Sequence, residues 1–368
     1  MNRATDIPSL PPIPDGFPEF HPNRLLQFGG HFPTIWQKVT CERKPAEGVD
    51  LQFPLQDGSG DVLVARLLSP LQTPNHAVAE APLIVLVHGL GGEAGSCYMR
   101  SCARSLLKFG FRVLLVNSRG CGESARLCRR IHHPGRISDL QVLMEGLVQK
   151  EHRSLLDRGL FIAGMSLGGN LILRFLARFG QQYPIVGGMA VSAAIDLDAA
   201  TAFLQQPVNW PYRLYLLTRM RREVNRSTTN LTDVERRLVN SAKTIRQFDD
   251  YFTAPRFGYE DAEDFYQQNS AVPALSEIRI PTGVLYALND PLVPKDLYVN
   301  YDWDSNPWLV PLLTRYGGHV GFQDRRDAVP WHHRCIAHFA QVCAKHPDTR
   351  GSFIVSESVP LAVAAAGD

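Results

Sequence analysis

A serine stands in Gly164-Met165-Ser166-Leu167-Gly168, a G-x-S-x-G pentapeptide. Small residues on both sides are what a serine needs when it sits on a sharp strand-to-helix turn, because larger neighbours would clash there. The flanks agree with such a turn. Gly159-Leu-Phe-Ile-Ala before it reads as a strand, and Leu171-Ile-Leu-Arg-Phe-Leu after it reads as a helix. Five-residue matches with two glycines recur by chance as turns with an idle serine. Between a strand and a helix, Ser166 reads as a nucleophile.

A serine hydroxyl is a weak nucleophile until a base takes its proton, and the base needs a carboxylate to orient it. Asp290 follows an apolar strand in Leu288-Asn289-Asp290-Pro291-Leu292-Val293-Pro294, where the prolines end the strand. His319 follows a later strand in Tyr316-Gly317-Gly318-His319-Val320-Gly321-Phe322, and its glycines let a loop carry the imidazole over the serine. Asp196, after the strand that ends at Val191, is the rival acid. Asp290 is favoured because it comes directly after a strand and before the histidine loop. The other histidines are poorer bases: His88 precedes the nucleophile, while His132, His133, His332 and His333 lie in polar or helical contexts and read as solvated.

Acyl chemistry also needs donors aimed at a developing oxyanion. Val87-His88-Gly89-Leu90-Gly91-Gly92 supplies a glycine-rich loop after an apolar strand, and the expected donors are the backbone amides of Leu90 and Leu167, with His88 holding the loop. Asn117-Ser118-Arg119-Gly120-Cys121-Gly122-Glu123 has glycines but neither a Walker lysine nor dinucleotide-loop spacing. Arg119 reads there as a tie to nearby carboxylates. Asp249 and Asp250 are adjacent, so on a helix they diverge and read as capping or packing groups. No cluster has metal-ligand spacing, and neither metal nor cofactor is expected.

These residues need a scaffold. Apolar runs at Val62–Leu68, Leu83–Val87, Arg112–Val116, Leu160–Ala163, Ile185–Val191, Gly283–Leu288 and Trp308–Tyr316 predict strands, several of them buried on both faces. Helical patterns at Tyr98–Phe109, Ile137–Lys150, Leu167–Phe179 and Trp331–Ala344 separate them. The alternation predicts an α/β fold with a doubly wound, mostly parallel sheet. Residues 198–276 break the rhythm with helical, arginine- and aromatic-rich sequence, and read as a helical cap inserted between core segments 25–197 and 277–346. Residues 1–24 read as a proline-rich arm and 347–368 as a flexible tail. Within the cap, Trp210, Tyr212, Leu214 and Leu217 are the candidate apolar walls for a substrate. The same stretch, with its arginines, also reads as an entrance or peripheral membrane contact, against the plainer reading of leucines on the core and arginines in water.

Composition adds limits. Thirty-eight basic against 36 acidic residues leave a net charge of +2, which gives no argument for a nucleic-acid partner. The N-terminus has no apolar core of signal-peptide length, and Leu83–Val87 is far too short to span a bilayer. Seven scattered cysteines without C-x-x-C spacing read as reduced thiols in a cytoplasmic protein.

Several segments together resemble the YheT-like branch of the α/β hydrolases and its eukaryotic embryogenesis-associated relatives. They are His88-Gly-Leu-Gly-Gly, Asn117-Ser-Arg-Gly-Cys-Gly-Glu-Ser, Gly164-Met-Ser-Leu-Gly-Gly-Asn170, the stretch from Phe248 to Asp264, and Gly317-Gly-His-Val-Gly-Phe322. The resemblance spans about residues 25 to 345. It implies the α/β-hydrolase fold, the triad Ser166, Asp290 and His319, and hydrolysis of carboxylic esters, lipid-like ones among them. Asn289 departs from the acidic residue that many relatives carry there. The expected activity is thus a serine esterase working through an acyl-enzyme on small-molecule or lipid esters. An acyltransferase with the same triad is the nearest rival, and a non-catalytic binding protein on this fold the more distant one.

Overall fold

The computed structural model describes residues 10–23, 28–39, 47–70, 81–226 and 231–346. Eight strands form one sheet: β1 (Val49–Pro54), β2 (Val62–Leu68), β3 (Leu83–Val87), β4 (Val113–Val116), β5 (Leu160–Met165), β6 (Ile185–Val191), β7 (Thr282–Ala287) and β8 (Leu309–Thr314). Their order is β1-β2-β4-β3-β5-β6-β7-β8. β1 and β2 pair antiparallel, as do β2 and β4, and all later neighbours are parallel. The strands from β3 to β7 carry almost nothing but buried side chains, as a sheet covered on both faces requires. Their predicted bounds hold to within two residues. β1 has no counterpart in the sequence reading, because this edge strand alternates exposed and buried positions and carries Asp50 and Gln52 among its apolar residues.

Helices cover both faces. α1 (His31–Val39), α2 (Cys97–Lys108), α3 (Ile137–Val148) and α4 (Leu167–Phe179) precede or link the central strands, and α12 (Trp331–Lys345) follows β8. Two large hydrophobic clusters fill the two sides of the sheet. The described part of the proline-rich segment lies along α12: Phe20 stacks on Trp331 at 4.8 Å, and the Trp331 indole N–H donates to Pro18 O at 2.6 Å.

Between β6 and β7 the described chain is helical: α5 (Leu197–Leu204), α6 (Trp210–Arg226), α7 (Asp233–Ser241), α8 (Ile245–Phe248), a π-helical turn (Asp249–Thr253), α9 (Ala254–Phe257) and α10 (Ala262–Asn269). A short α11 (Asp296–Val299) follows β7. The inserted helices gather a third, smaller cluster around Leu216, Leu217, Met220, Val224, Val239 and Phe248. They roof the carboxyl ends of the parallel strands, where ligands of open α/β sheets bind.

The loop containing Arg119 is tied down by charge. Arg119 Nε and Nη2 donate to both Asp139 oxygens, and Nη1 donates to Asp57 and Asp61. Five described cysteines are buried free thiols, whereas Cys97 is disulfide-bonded. The expectation of seven reduced thiols therefore fails, and the cysteines do not argue for a reducing compartment. Spacing along a chain carries no information on which thiols a fold brings together.

Candidate active site

Ser166 is the one-residue hinge between β5 and α4, at φ 55° and ψ −121°, a conformation that costs a non-glycine residue energy. Its neighbours must be small for a concrete reason. A Cβ at Gly164 would lie 2.3 Å from Gly168 O, and one at Gly168 would lie 2.4 Å from His88 O. The Ser166 N–H is anchored to Val191 O at 2.8 Å. The hydroxyl is thereby lifted clear of the sheet.

Three side chains meet in a line. Ser166 Oγ lies 2.8 Å from His319 Nε2, and His319 Nδ1 lies 2.8 Å from Asp290 Oδ2. Asp290 is buried, and its other oxygen accepts the Leu292 and Val293 N–H groups at 2.8 and 3.1 Å. This carboxylate cannot swing away without abandoning those donors. Asp196 lies elsewhere: its Oδ1 accepts the Ala199 N–H at 3.0 Å and caps α5.

The histidine loop is held from three sides, by Asn289 and by two residues that sequence reading passed over, Thr34 and Ser192. Thr34 Oγ1 on α1 accepts the His319 N–H, Asn289 Oδ1 accepts the Gly318 N–H, and Ser192 Oγ accepts the Val320 N–H. A Cβ at Gly318 would come within 2.5 Å of Gly30 O, so only glycine lets α1 approach. Asn289 supplies there the same acceptor that a carboxylate would.

The loop after β3 packs onto Ser166, with the Gly89 Cβ position 3.0 Å from Ser166 Cβ. His88 Nε2 accepts the Ser118 N–H at 3.1 Å, so the proton sits on Nδ1 and is donated to Gly89 O at 2.9 Å. Burial depresses its pKa to about 4, which keeps it neutral in that role. Tyr98 OH accepts the Gly89 N–H. The Leu90 N–H has no acceptor among the described residues, and the Leu167 N–H, at the first residue of α4, has none within its helix.

Above Ser166 and His319 opens a cavity of about 390 Å³ with a mostly apolar lining, including Leu197, Ala200, Leu204, Tyr212, Tyr215 and Leu216. Of the four expected wall residues, Tyr212 alone lines it. Trp210 and Leu214 are 57% and 53% exposed, and Leu217 is buried between α6 and its neighbouring cap helices. Helical geometry explains the division: Tyr212, Tyr215, Leu216 and Arg219 share one face, from which positions 210, 214 and 217 point away. Arg219 is therefore half-buried at the cavity wall.

A second chamber of about 90 Å³ adjoins the first behind Leu90 and Leu167. Glu223 faces it beside Cys121, and burial raises the Glu223 pKa to about 7. Asp249, raised to about 6 by burial, accepts Thr253 Oγ1 and Tyr266 OH at 2.6 Å each. Asp250 instead accepts the Ala262 N–H, so the two aspartates diverge as adjacent helical residues must. His133, His332 and His333 are not solvated, as expected from their polar neighbours, but buried and held neutral. The latter two lie where α12 is enclosed on nearly all sides, which a polar-looking Trp-His-His-Arg start conceals.

Geometry and sequence similarity agree on descent. The family model for the alpha/beta hydrolase fold matches residues 82–322. The chain belongs to the α/β hydrolases, in their YheT-like branch. This α/β hydrolase is 30% identical over 244 residues to the putative esterase YheT of Escherichia coli strain K12, covering 66% of this chain and 70% of that protein. It is 30% identical over 243 residues to the phospholipase ABHD3 of Homo sapiens, covering 66% of this chain and 58% of that one, so it spans less than two thirds of the human relative's length. A hyperthermophilic esterase from Pyrobaculum calidifontis shares the fold at 17% identity and a TM-score of 0.51, over 87% of this chain and 92% of that one.

Proposed function

We propose that this α/β hydrolase is a serine carboxylic-ester hydrolase with Ser166 as nucleophile, His319 as base and Asp290 as orienting acid. The observation that carries the reading is the unbroken hydrogen-bonded line Asp290–His319–Ser166 at the floor of an apolar cavity. His319 Nε2 takes the Oγ proton as Ser166 attacks the ester carbonyl, and the resulting oxyanion accepts the Leu90 and Leu167 N–H groups. The imidazolium, stabilised by Asp290, returns the proton to the departing alcohol and leaves an acyl-enzyme. A water, deprotonated by the same imidazole, then releases the acid. The apolar lining suits an acyl chain of short to medium length or a lipid-like one, in keeping with relatives named esterase and phospholipase. Among the described residues no helix is long and apolar enough to cross a membrane. Exposed Trp210 and Leu214, on the helix that also lines the cavity, support contact of the cap, residues 198–276, with amphiphilic assemblies.

Ser166→Ala tests the assignment. Turnover of p-nitrophenyl esters should fall by about a million-fold, and labelling by a fluorophosphonate probe should vanish, with the fold unchanged by circular dichroism. Labelling that survives in the variant identifies a different nucleophile.

A further inference from the structure

The loop that carries Leu90 is bonded into a continuous relay that begins on the cap. Arg219 of α6 donates Nε–H to Gly91 O at 2.8 Å. The peptide unit of that carbonyl carries the Gly92 N–H, which donates to Gly89 O at 3.0 Å. The peptide unit of the Gly89 carbonyl, in turn, carries the Leu90 N–H. All peptide bonds described are trans, so C=O and N–H point in opposite directions across each planar unit. Pulling the Gly91 carbonyl toward Arg219 therefore directs the Gly92 N–H at Gly89 O, and holding Gly89 O directs the Leu90 N–H the other way. Chains of this kind polarise each bond in turn, and this one starts on a guanidinium.

The contact is built for close approach. Gly91 adopts φ +62°, and a Cβ there would lie 2.7 Å from Arg219 Cβ, so any other residue would push loop and cap helix apart. His88 reinforces the middle of the relay from the core side, through Nδ1–H to the same Gly89 oxygen. His88, Tyr98, Cys121 and Glu223 are the titratable groups on which the Arg219 charge acts.

We propose that Arg219 is a positioning residue that aims and polarises the Leu90 N–H through two peptide units, making oxyanion stabilisation depend on a docked cap. The proposal rests on Leu90 being an oxyanion donor, as the serine-hydrolase reading has it.

Arg219→Met keeps the aliphatic stem and removes the donor. Outright loss of one oxyanion donor costs about 10²–10³ in kcat; misdirecting one should cost about 10- to 30-fold. The loss should fall on kcat, with KM within about twofold, and be equal for p-nitrophenyl acetate and octanoate. Inhibition by an alkyl trifluoromethyl ketone, whose serine adduct carries the oxyanion, should weaken by the same factor. Arg219→Lys, which retains a cationic donor, should recover part of the loss, and Arg222→Met, on the exposed side of α6, should change nothing. Gly91→Ala attacks the same contact from the loop, and the double variant should be no worse than the poorer single one. If cap packing were the whole role, KM and the chain-length profile would move while acetate kcat and ketone affinity stayed within about twofold. That outcome overturns the proposal, as does strict additivity of the two variants. Should Arg219→Met fail to fold, Gly91→Ala and Arg219→Lys carry the same test. Wild-type protein without Ser166-dependent turnover would instead sink the functional reading itself.

Discussion

Replacing Asp290 by Asn changes one atom in the line that joins Asp290, His319 and Ser166, and the surroundings dictate how the new side chain must sit. The side-chain oxygen that accepts the Leu292 and Val293 N–H groups must remain an oxygen. The opposite amide orientation would set an NH₂ against two buried donors, at about 1–3 kcal/mol for each bond lost. The new NH₂ therefore faces His319 Nδ1, at the site of the present 2.8 Å contact. As a donor it forces the imidazole proton onto Nε2, which then presents a hydrogen to Ser166 Oγ and cannot accept one. The wrong tautomer costs about 10⁴ in kcat, or ~5.4 kcal/mol of barrier. Asp196→Asn is the matched control. Asparagine caps helices as well as aspartate does, so the Ala199 contact survives and kcat should stay within about twofold. The assay is steady-state hydrolysis of p-nitrophenyl butyrate, with thermal melts to confirm folding. A folded Asp290→Asn enzyme that keeps more than about a tenth of wild-type kcat would refute the reasoning, as would equal losses in the two variants.

The cavity and its neighbouring chamber set two further outcomes. Ala200→Leu adds bulk to the wall beside Leu197 and Leu204 and should shorten the preferred acyl chain by about two to three carbons, each excluded methylene costing ~0.8 kcal/mol, or about fourfold in kcat/KM. Leu214→Asn, on the exposed side of α6, should leave the chain-length profile in place, and the reverse ranking would mean that the cavity is not the acyl site. Glu223→Gln should stabilise the protein in a pH-dependent way. With its pKa raised from 4.5 to about 7, folded Glu223 keeps a proton that the unfolded chain loses, so wild-type stability falls as pH rises through that window and stays lower above it. The gain in Tm from Glu223→Gln should thus be present at about pH 8 and nearly absent at about pH 4.5; an equal gain at both would rule out the ionisation of Glu223 as its source.

The elbow was legible because its chemistry is local. Gly164, Ser166 and Gly168 are close enough in sequence that the sterics of one turn select them, and the strand before and helix after announce themselves by hydrophobic period. The parallel strands were legible for the same reason: burial on both faces leaves an uninterrupted apolar run. β1 was not, because an edge strand exposed on one face carries the polar residues of a loop. The helical character of the described residues between β6 and β7 was also visible in the sequence, but not which face of α6 would look inward. Tyr212 and Leu214 are equally plausible walls until the helix is docked.

The carboxylate that meets His319 was the clearest case of ambiguity. Asp196 and Asp290 both follow strands that are neighbours in the sheet, and either could cap a helix or orient a base. What separates them is that the loop of His319, held by Thr34 from 285 residues away, lies over β7 and delivers its Nδ1 to Asp290. In the sequence Arg219 is one arginine among several, and what sets it apart is the Nε–H bond to the Gly91 carbonyl, 128 residues distant in the chain. Backbone conformation and burial period are set by near neighbours, and a sequence carries them openly. Hydrogen-bond partners and cavity walls are set by how whole elements pack, and that packing is a property of the entire chain at once.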